Sequence, residues 1–216
     1  MRIRSLPNFW LLIALVTLIL VYPIAYPYST GRAFLALFDW VILILALRAS
    51  KKTWYKSWLG YAFAIPAMLL YVIAALFSSS IVIVASLLTQ VLFHGFIVIS
   101  LLRYMLHDNV MTLDELFAAA ALYVLMGFVF GYCYALIEHI QPGSFFINEA
   151  NNPDHRVSWW ELLYFSFTCL TSVGFGEITP ISDSARSIVI IEQTSGVLYL
   201  AILISRLMSM RTKRDQ

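Results

Sequence analysis

Long apolar runs separated by short polar, basic segments dominate the chain. Runs that begin near Phe9, Ala33, Trp58, Ile81, Glu115 and Ser184 each approach the roughly 20 helical residues that cross a hydrocarbon core. Six spans are predicted. The first run, Phe9 to about Tyr26, is too long for a secretory leader and is followed by no small-residue cleavage site, so it is read as a helix. One stretch departs from the pattern. Ser158 to Val173 is apolar and aromatic but short, and it runs straight into Gly174, Gly176 and Pro180. A helix of about a dozen residues rises only about 18 Å, and non-helical backbone at that depth is tolerated only inside protein or along a water-filled path. Read as a re-entrant segment, it implies a pore.

Basic residues orient the spans, because short cytoplasmic loops retain lysine and arginine. With six spans, Arg2, Arg4, Arg48, Lys51, Lys52, Lys56, Arg103, Arg206, Arg211, Lys213 and Arg214 share one side, and only Arg32, Arg156 and Arg186 face the other. Both termini are therefore placed in the cytoplasm of a multi-pass protein of the cell (plasma or inner) membrane. A seventh span at Ser158–Val173 would turn the basic end outward, against that rule. Composition agrees: 61% of residues are apolar and 12% charged, about half the charge of a soluble domain. A net charge of +2, spread beside the spans, indicates lipid surroundings and no nucleic-acid partner. Cys133 and Cys169 fall in apolar stretches and are read as buried thiols, not a disulfide framework.

The predicted class is all-α integral membrane, divided near residue 110. Residues 1–110 form a four-helix domain and 111–216 a pore domain, with an outer helix about 115–137, a turret 138–157, a short helix 158–170, a loop 171–176 and a last helix 184–206. Pro66 is expected to kink the third span, and Ser78, Ser79 and Ser80 to turn the chain into the fourth. Gly127 and Gly131, four apart on one helix face, suit close packing.

Gly174 and Gly176 sit at alternate positions in Thr171-Ser172-Val173-Gly174-Phe175-Gly176, where left-handed backbone costs least for glycine. This hexapeptide resembles the signature of the potassium-channel pore family, Thr-Thr/Ser-Val-Gly-Tyr/Phe-Gly followed by an acidic residue, and the stretch from Leu163 is especially similar to ether-à-go-go-related channels. The likeness covers about half the chain, Asp114 to Met210. It implies a selectivity filter in which rings of backbone carbonyls replace the hydration shell of K+, with ions at Ser172, Val173, Gly174 and Phe175. One chain offers one carbonyl per level, so the partner is the chain itself, as a homotetramer. No cofactor beyond filter K+ is expected.

The same resemblance suggests roles around the filter. Glu177 replaces the commoner aspartate, and Tyr164 lies where an aromatic side chain of the family hydrogen-bonds that acid; the alternative for Tyr164 is the aromatic belt of the membrane interface. Trp159 and Trp160 lie five residues early for the family's paired tryptophans and are assigned to that interface. Gly196 falls at a hinge position of the inner helix, with packing as the alternative, and Val197, Leu200, Ile204 and Ser205 are placed on a cavity face. Glu192 is an ionisable residue within a span, by default functional. It either braces the filter through Thr168 or Thr171, faces the cavity to attract ions, or snorkels.

Between Ile81 and Leu102 there is no arginine, so the charge array of a voltage sensor is missing; His94 and Gln90 are read as packed polar residues. Asp39 is expected to pair with Arg32. His94, His107, His139 and His155 are single histidines, and about ten residues after the last span leave no room for a cytoplasmic ligand domain. The predicted function is passive, potassium-selective conduction, with a weakly selective monovalent cation channel as the alternative. An uptake transporter would need four filter loops in one chain, and no metal-ligand cluster or nucleophile-base constellation points to an enzyme.

Overall fold

The computed structural model describes residues 6–25, 40–42, 44–45, 58–77, 79–107, 112–152 and 157–214. Their elements are α1 (Pro7–Ala25), α2 (Trp58–Leu76), α3 (Ser80–His107), α4 (Leu113–Ile140), β1 (Phe145–Ile147), a single 3-10 turn (Glu149–Asn151), α5 (Trp159–Leu170), β2 (Ile178–Pro180) and α6 (Asp183–Arg214). All but α5 among the helices are long and apolar enough to cross a membrane, which makes five candidate spans among the described residues. The span expected from Ala33, the Asp39–Arg32 pair, His155 and the boundary near residue 110 fall largely or wholly outside those residues.

Two compact units emerge, Met1–Met68 with Gly95–Leu125 and Leu69–His94 with Met126–Gln216. The units divide α2, α3 and α4 internally, whereas the sequence suggested one break near residue 110. In the first unit, Leu11, Leu15 and Leu18 are buried along one face of α1, as are Ala118, Ala121, Leu122 and Leu125 of α4, and Phe9 meets Phe117 edge-on. The buried Asp114 carboxylate gathers the Asn8 backbone amide at 3.2 Å, the Asn8 side-chain amide at 3.0 Å and the Tyr104 hydroxyl at 3.0 Å. Placed in the first turn of α4, it also faces the positive end of that helix's dipole. Thr112 and Glu115 cap the same helix reciprocally, the Glu115 carboxylate accepting from the Thr112 amide and the Thr112 hydroxyl from the Glu115 amide.

The second unit is built on Tyr134, Phe145, Ile147, Leu162, Phe165, Cys169, Ile178, Ala185 and Val189. Here the all-α expectation is corrected, because β1 and β2 form an antiparallel pair with Phe145 opposite Pro180, Phe146 opposite Thr179 and Ile147 opposite Ile178. Phe145 and Ile147 point inward while Phe146 is exposed, the period-two alternation of a half-buried strand. The pairing extends at both ends, through Asn148 N–H to Glu177 C=O at 2.9 Å and Ile181 N–H to Ser144 C=O at 2.7 Å.

Pro66 lies inside α2, which continues through it to Leu76. His94 is buried, stacked on Phe128 at 6.3 Å and packed against Tyr132, and its Nδ1 donates to the Gln90 carbonyl at 2.9 Å. It is a packed, satisfied core histidine. Cys169 is buried, but Cys133 is only half-buried, which corrects the reading of both as buried.

Candidate functional site

Helix α5 starts at a capping box legible as Ser158-x-x-Glu161: the Ser158 hydroxyl accepts from the Glu161 amide and the Glu161 carboxylate from the Ser158 amide at 2.6 Å. Trp159 packs against Phe128 and Tyr132. Glycines let α5 sit close to α4. A Cβ on Gly127 would lie 2.8 Å from the ring tip of Phe167, and one on Gly131 would lie 3.3 Å from the Leu163 Cα. This is the close packing expected of that glycine pair.

The helix ends at Leu170 and delivers the chain into Thr171–Gly176, where Ser172, Gly174 and Gly176 have φ of 58°, 54° and 81°. Val173 and Phe175, between them, are outside the left-handed region. Left-handed residues at alternate positions turn the backbone sharply within one short loop. Glycine makes this inexpensive at two of the three positions; Ser172 adopts it with a side chain. The inner end of the loop is tied to the last turn of α5: the Thr168 carbonyl accepts Val173 N–H at 3.0 Å and Gly174 N–H at 3.2 Å, and the Cys169 carbonyl accepts Ser172 N–H at 2.9 Å. The negative end of a helix dipole thereby abuts the loop, which favours a cation there.

At the outer end the Tyr164 hydroxyl donates to the Glu177 carboxylate, and the Tyr164 ring stacks on Phe175 at 6.5 Å and 1°. Glu177 is fixed a second time, through its backbone, by Asn148 of the strand extension.

Glu192 is fully buried, but not on Thr168 or Thr171. Those hydroxyls donate backwards to Phe165 C=O and Phe167 C=O in their own helix, an outlet open to any helical threonine. Its partners are the hydroxyls of Tyr134 on α4 and Ser166 on α5, two residues that the sequence reading missed. Their only signal was a polar atom on an otherwise apolar helix face. Gly196 lies inside the continuous α6, with its Cα against the Leu170 carbonyl; a Cβ there would clash with that oxygen and lie 3.1 Å from a Leu170 methyl. The geometry thus supplies the packing alternative for Gly196. Val197 joins Ser172, Gln193, Thr194 and Leu198 in lining an open groove of about 450 Å³. Leu200, Ile204 and Ser205 are exposed on α6 below it. Gln193 and Thr194 were not anticipated.

The turn that leads into β1 is held by Glu138, whose carboxylate oxygens accept from Gly143 N–H at 2.8 Å and Phe145 N–H at 3.1 Å. Glu138→Ala should leave both turn amides to solvent, at about 1 kcal/mol each, and raise amide exchange about thirtyfold across 144–148 and 177–181. Exchange unchanged in both strands would remove Glu138 from this role.

A family model described as "Ion channel" matches residues 110–213, just under half of the chain. The chain is also 37% identical, over 54 residues, to the potassium channel protein kcv of Paramecium bursaria Chlorella virus 1, an alignment covering 24% of this chain and 57% of the viral protein. The chain thus spans little more than half the length of that relative. No solved structure matches.

Proposed function

We propose that the chain is one subunit of a homotetrameric, potassium-selective channel, with Thr171–Gly176 as its filter and K+ held by the carbonyls of Ser172, Val173, Gly174 and Phe175. The observation that carries this reading is the alternation of left-handed backbone at Ser172, Gly174 and Gly176 directly after a short capped helix. A dehydrated K+ needs rings of oxygen ligands; one such loop supplies one oxygen per level, and four around an axis complete each ring. Phe175 is 69% exposed in the single chain, and neighbouring copies around that axis would cover it.

In this reading α5 and the filter form a re-entrant segment between α4 and α6, in a six-span chain with both termini cytoplasmic, set in the plasma or inner membrane. The groove at Ser172, Gln193, Thr194 and Val197 becomes part of the vestibule beneath the filter, continued by Leu200, Ile204 and Ser205. Tyr164, Thr168 and Glu177 hold the filter, and Glu192 braces it from behind. Similarity of residues 110–213 to an ion-channel family and of a shorter stretch to a viral potassium channel supports the assignment.

Purified protein in liposomes should pass K+ down its gradient, with a reversal potential in mixed K+ and Na+ close to that of K+. A reversal potential midway between the two ions would instead indicate a weakly selective cation channel. The native complex in detergent should have the mass of four chains, and a dimer as the largest species would refute the tetramer.

A further inference from the structure

We propose that Glu192 is held as a neutral carboxylic acid, the central link of a hydrogen-bonded chain that runs from Tyr134 through Glu192 and Ser166 to the Gly127 carbonyl and clamps α5 between α4 and α6. The inference rests on the channel reading only for its consequence in conduction; the chemistry is local. Ser166 Oγ lies 2.8 Å from the Gly127 carbonyl oxygen and also within hydrogen-bond distance of Glu192 Oε1. Both neighbours are acceptors if Glu192 is ionised, yet a serine hydroxyl has one proton. Two contacts and one proton do not balance.

They balance if Glu192 keeps its own. Glu192 Oε1–H then donates to Ser166 Oγ, Ser166 O–H donates to Gly127 C=O, and Tyr134 O–H donates to Glu192 Oε2. Every contact has one donor and one acceptor, and no charge is left in a site with no exposed surface. Among the described residues no basic group competes for this assignment, since the other titratable groups interacting with Glu192 are Tyr134 and Cys133 from α4 and Cys169 from α5. Glutamine fits the same arrangement, its NH2 donating to Ser166 and its oxygen accepting from Tyr134. Leucine supplies neither. Glu192 is thus a positioning residue: it fixes α5, and α5 carries the filter.

The test is an infrared difference spectrum of the full-length protein in liposomes at neutral pH, wild type minus Glu192→Gln. A protonated-carboxyl stretch present in the wild type and absent from the variant is expected; a carboxylate band in its place overturns the proposal. Ser166→Ala gives a second reading independent of Glu192 substitution. It should shift the protonated-carboxyl stretch by removing its acceptor, and an unshifted band overturns the link to Ser166. Glu192→Gln should keep K+ flux within about fivefold of wild type, the equivalent of one neutral hydrogen bond, whereas Glu192→Leu should abolish it; equal flux in wild type and Glu192→Leu overturns the clamp. Failure of the channel reading is separable. A neutral Glu192 in a protein that passes no K+ refutes conduction and leaves the clamp, and an ionised Glu192 in a conducting protein does the reverse.

Discussion

Gly196→Ala should cut potassium flux on the order of a thousandfold, since overpacking costs about 1–3 kcal/mol per copy and the proposed tetramer carries four. The added methyl would press on the carbonyl oxygen of Leu170, which is backbone and has no rotamer to escape into. Leu170 is the last residue of α5, and Thr171 follows it directly. Any backbone shift that relieves the clash is transmitted to the proposed filter, Thr171–Gly176, within one or two residues. Gly127→Ala is the matching control: its Cβ meets the outer end of the Phe167 ring, a side chain that can swing, so flux should stay within about tenfold of wild type. Native mass measurement would show whether each variant still assembles. Wild-type flux from an assembled Gly196→Ala protein would remove the steric argument and return Gly196 to the role of a flexible joint.

Much of this site was legible because its chemistry is written in local residue order. Alternate glycines mark where left-handed backbone is inexpensive, and the 13-residue offset from Tyr164 to Glu177 came from resemblance to a known pattern. Contacts that depend on tertiary phase were not legible. Glu192 was expected to find Thr168 or Thr171, placed near its depth, but helical threonines satisfy themselves on the preceding turn, and its partners are the hydroxyls of Ser166 and Tyr134 on the facing helices. The β1–β2 pair was missed for a different reason. Three residues per strand carry too little alternation to separate a strand from a turret loop, and the pairing is long-range, closed by Glu138 and by the apolar cluster beneath Phe145 and Ile147. Ser172 shows the limit of reasoning from glycine alone, since it takes up positive φ without being one.

Tyr164→Phe should hasten the loss of current when external potassium is low, and Phe175→Tyr should slow it. In the proposed channel, ions in the filter would offset the mutual repulsion of its carbonyl rings, so when ions are scarce the geometry would rest on the tethers of the surrounding protein. At the inner end those tethers are backbone bonds from the loop to Thr168 and Cys169, which no side-chain substitution removes. At the outer end the side-chain tether is the Tyr164–Glu177 bond, with the stacked but hydroxyl-free Phe175 beside it. A neutral hydrogen bond contributes about 1 kcal/mol and one to a carboxylate about twice that. Lost from all four subunits of the proposed tetramer together, the Tyr164 hydroxyl should shift the balance between conducting and relaxed filters by orders of magnitude. Phe175→Tyr has the opposite sign, since its hydroxyl supplies a further donor at the outer end of the loop, beside the Tyr164–Glu177 bond. Current decay recorded in both variants at low and high external potassium reads these effects directly: Tyr164→Phe should decay fastest at low potassium and recover toward wild type as potassium rises. Decay that ignores both potassium and the two substitutions would show that the outer filter is held by something other than these side chains.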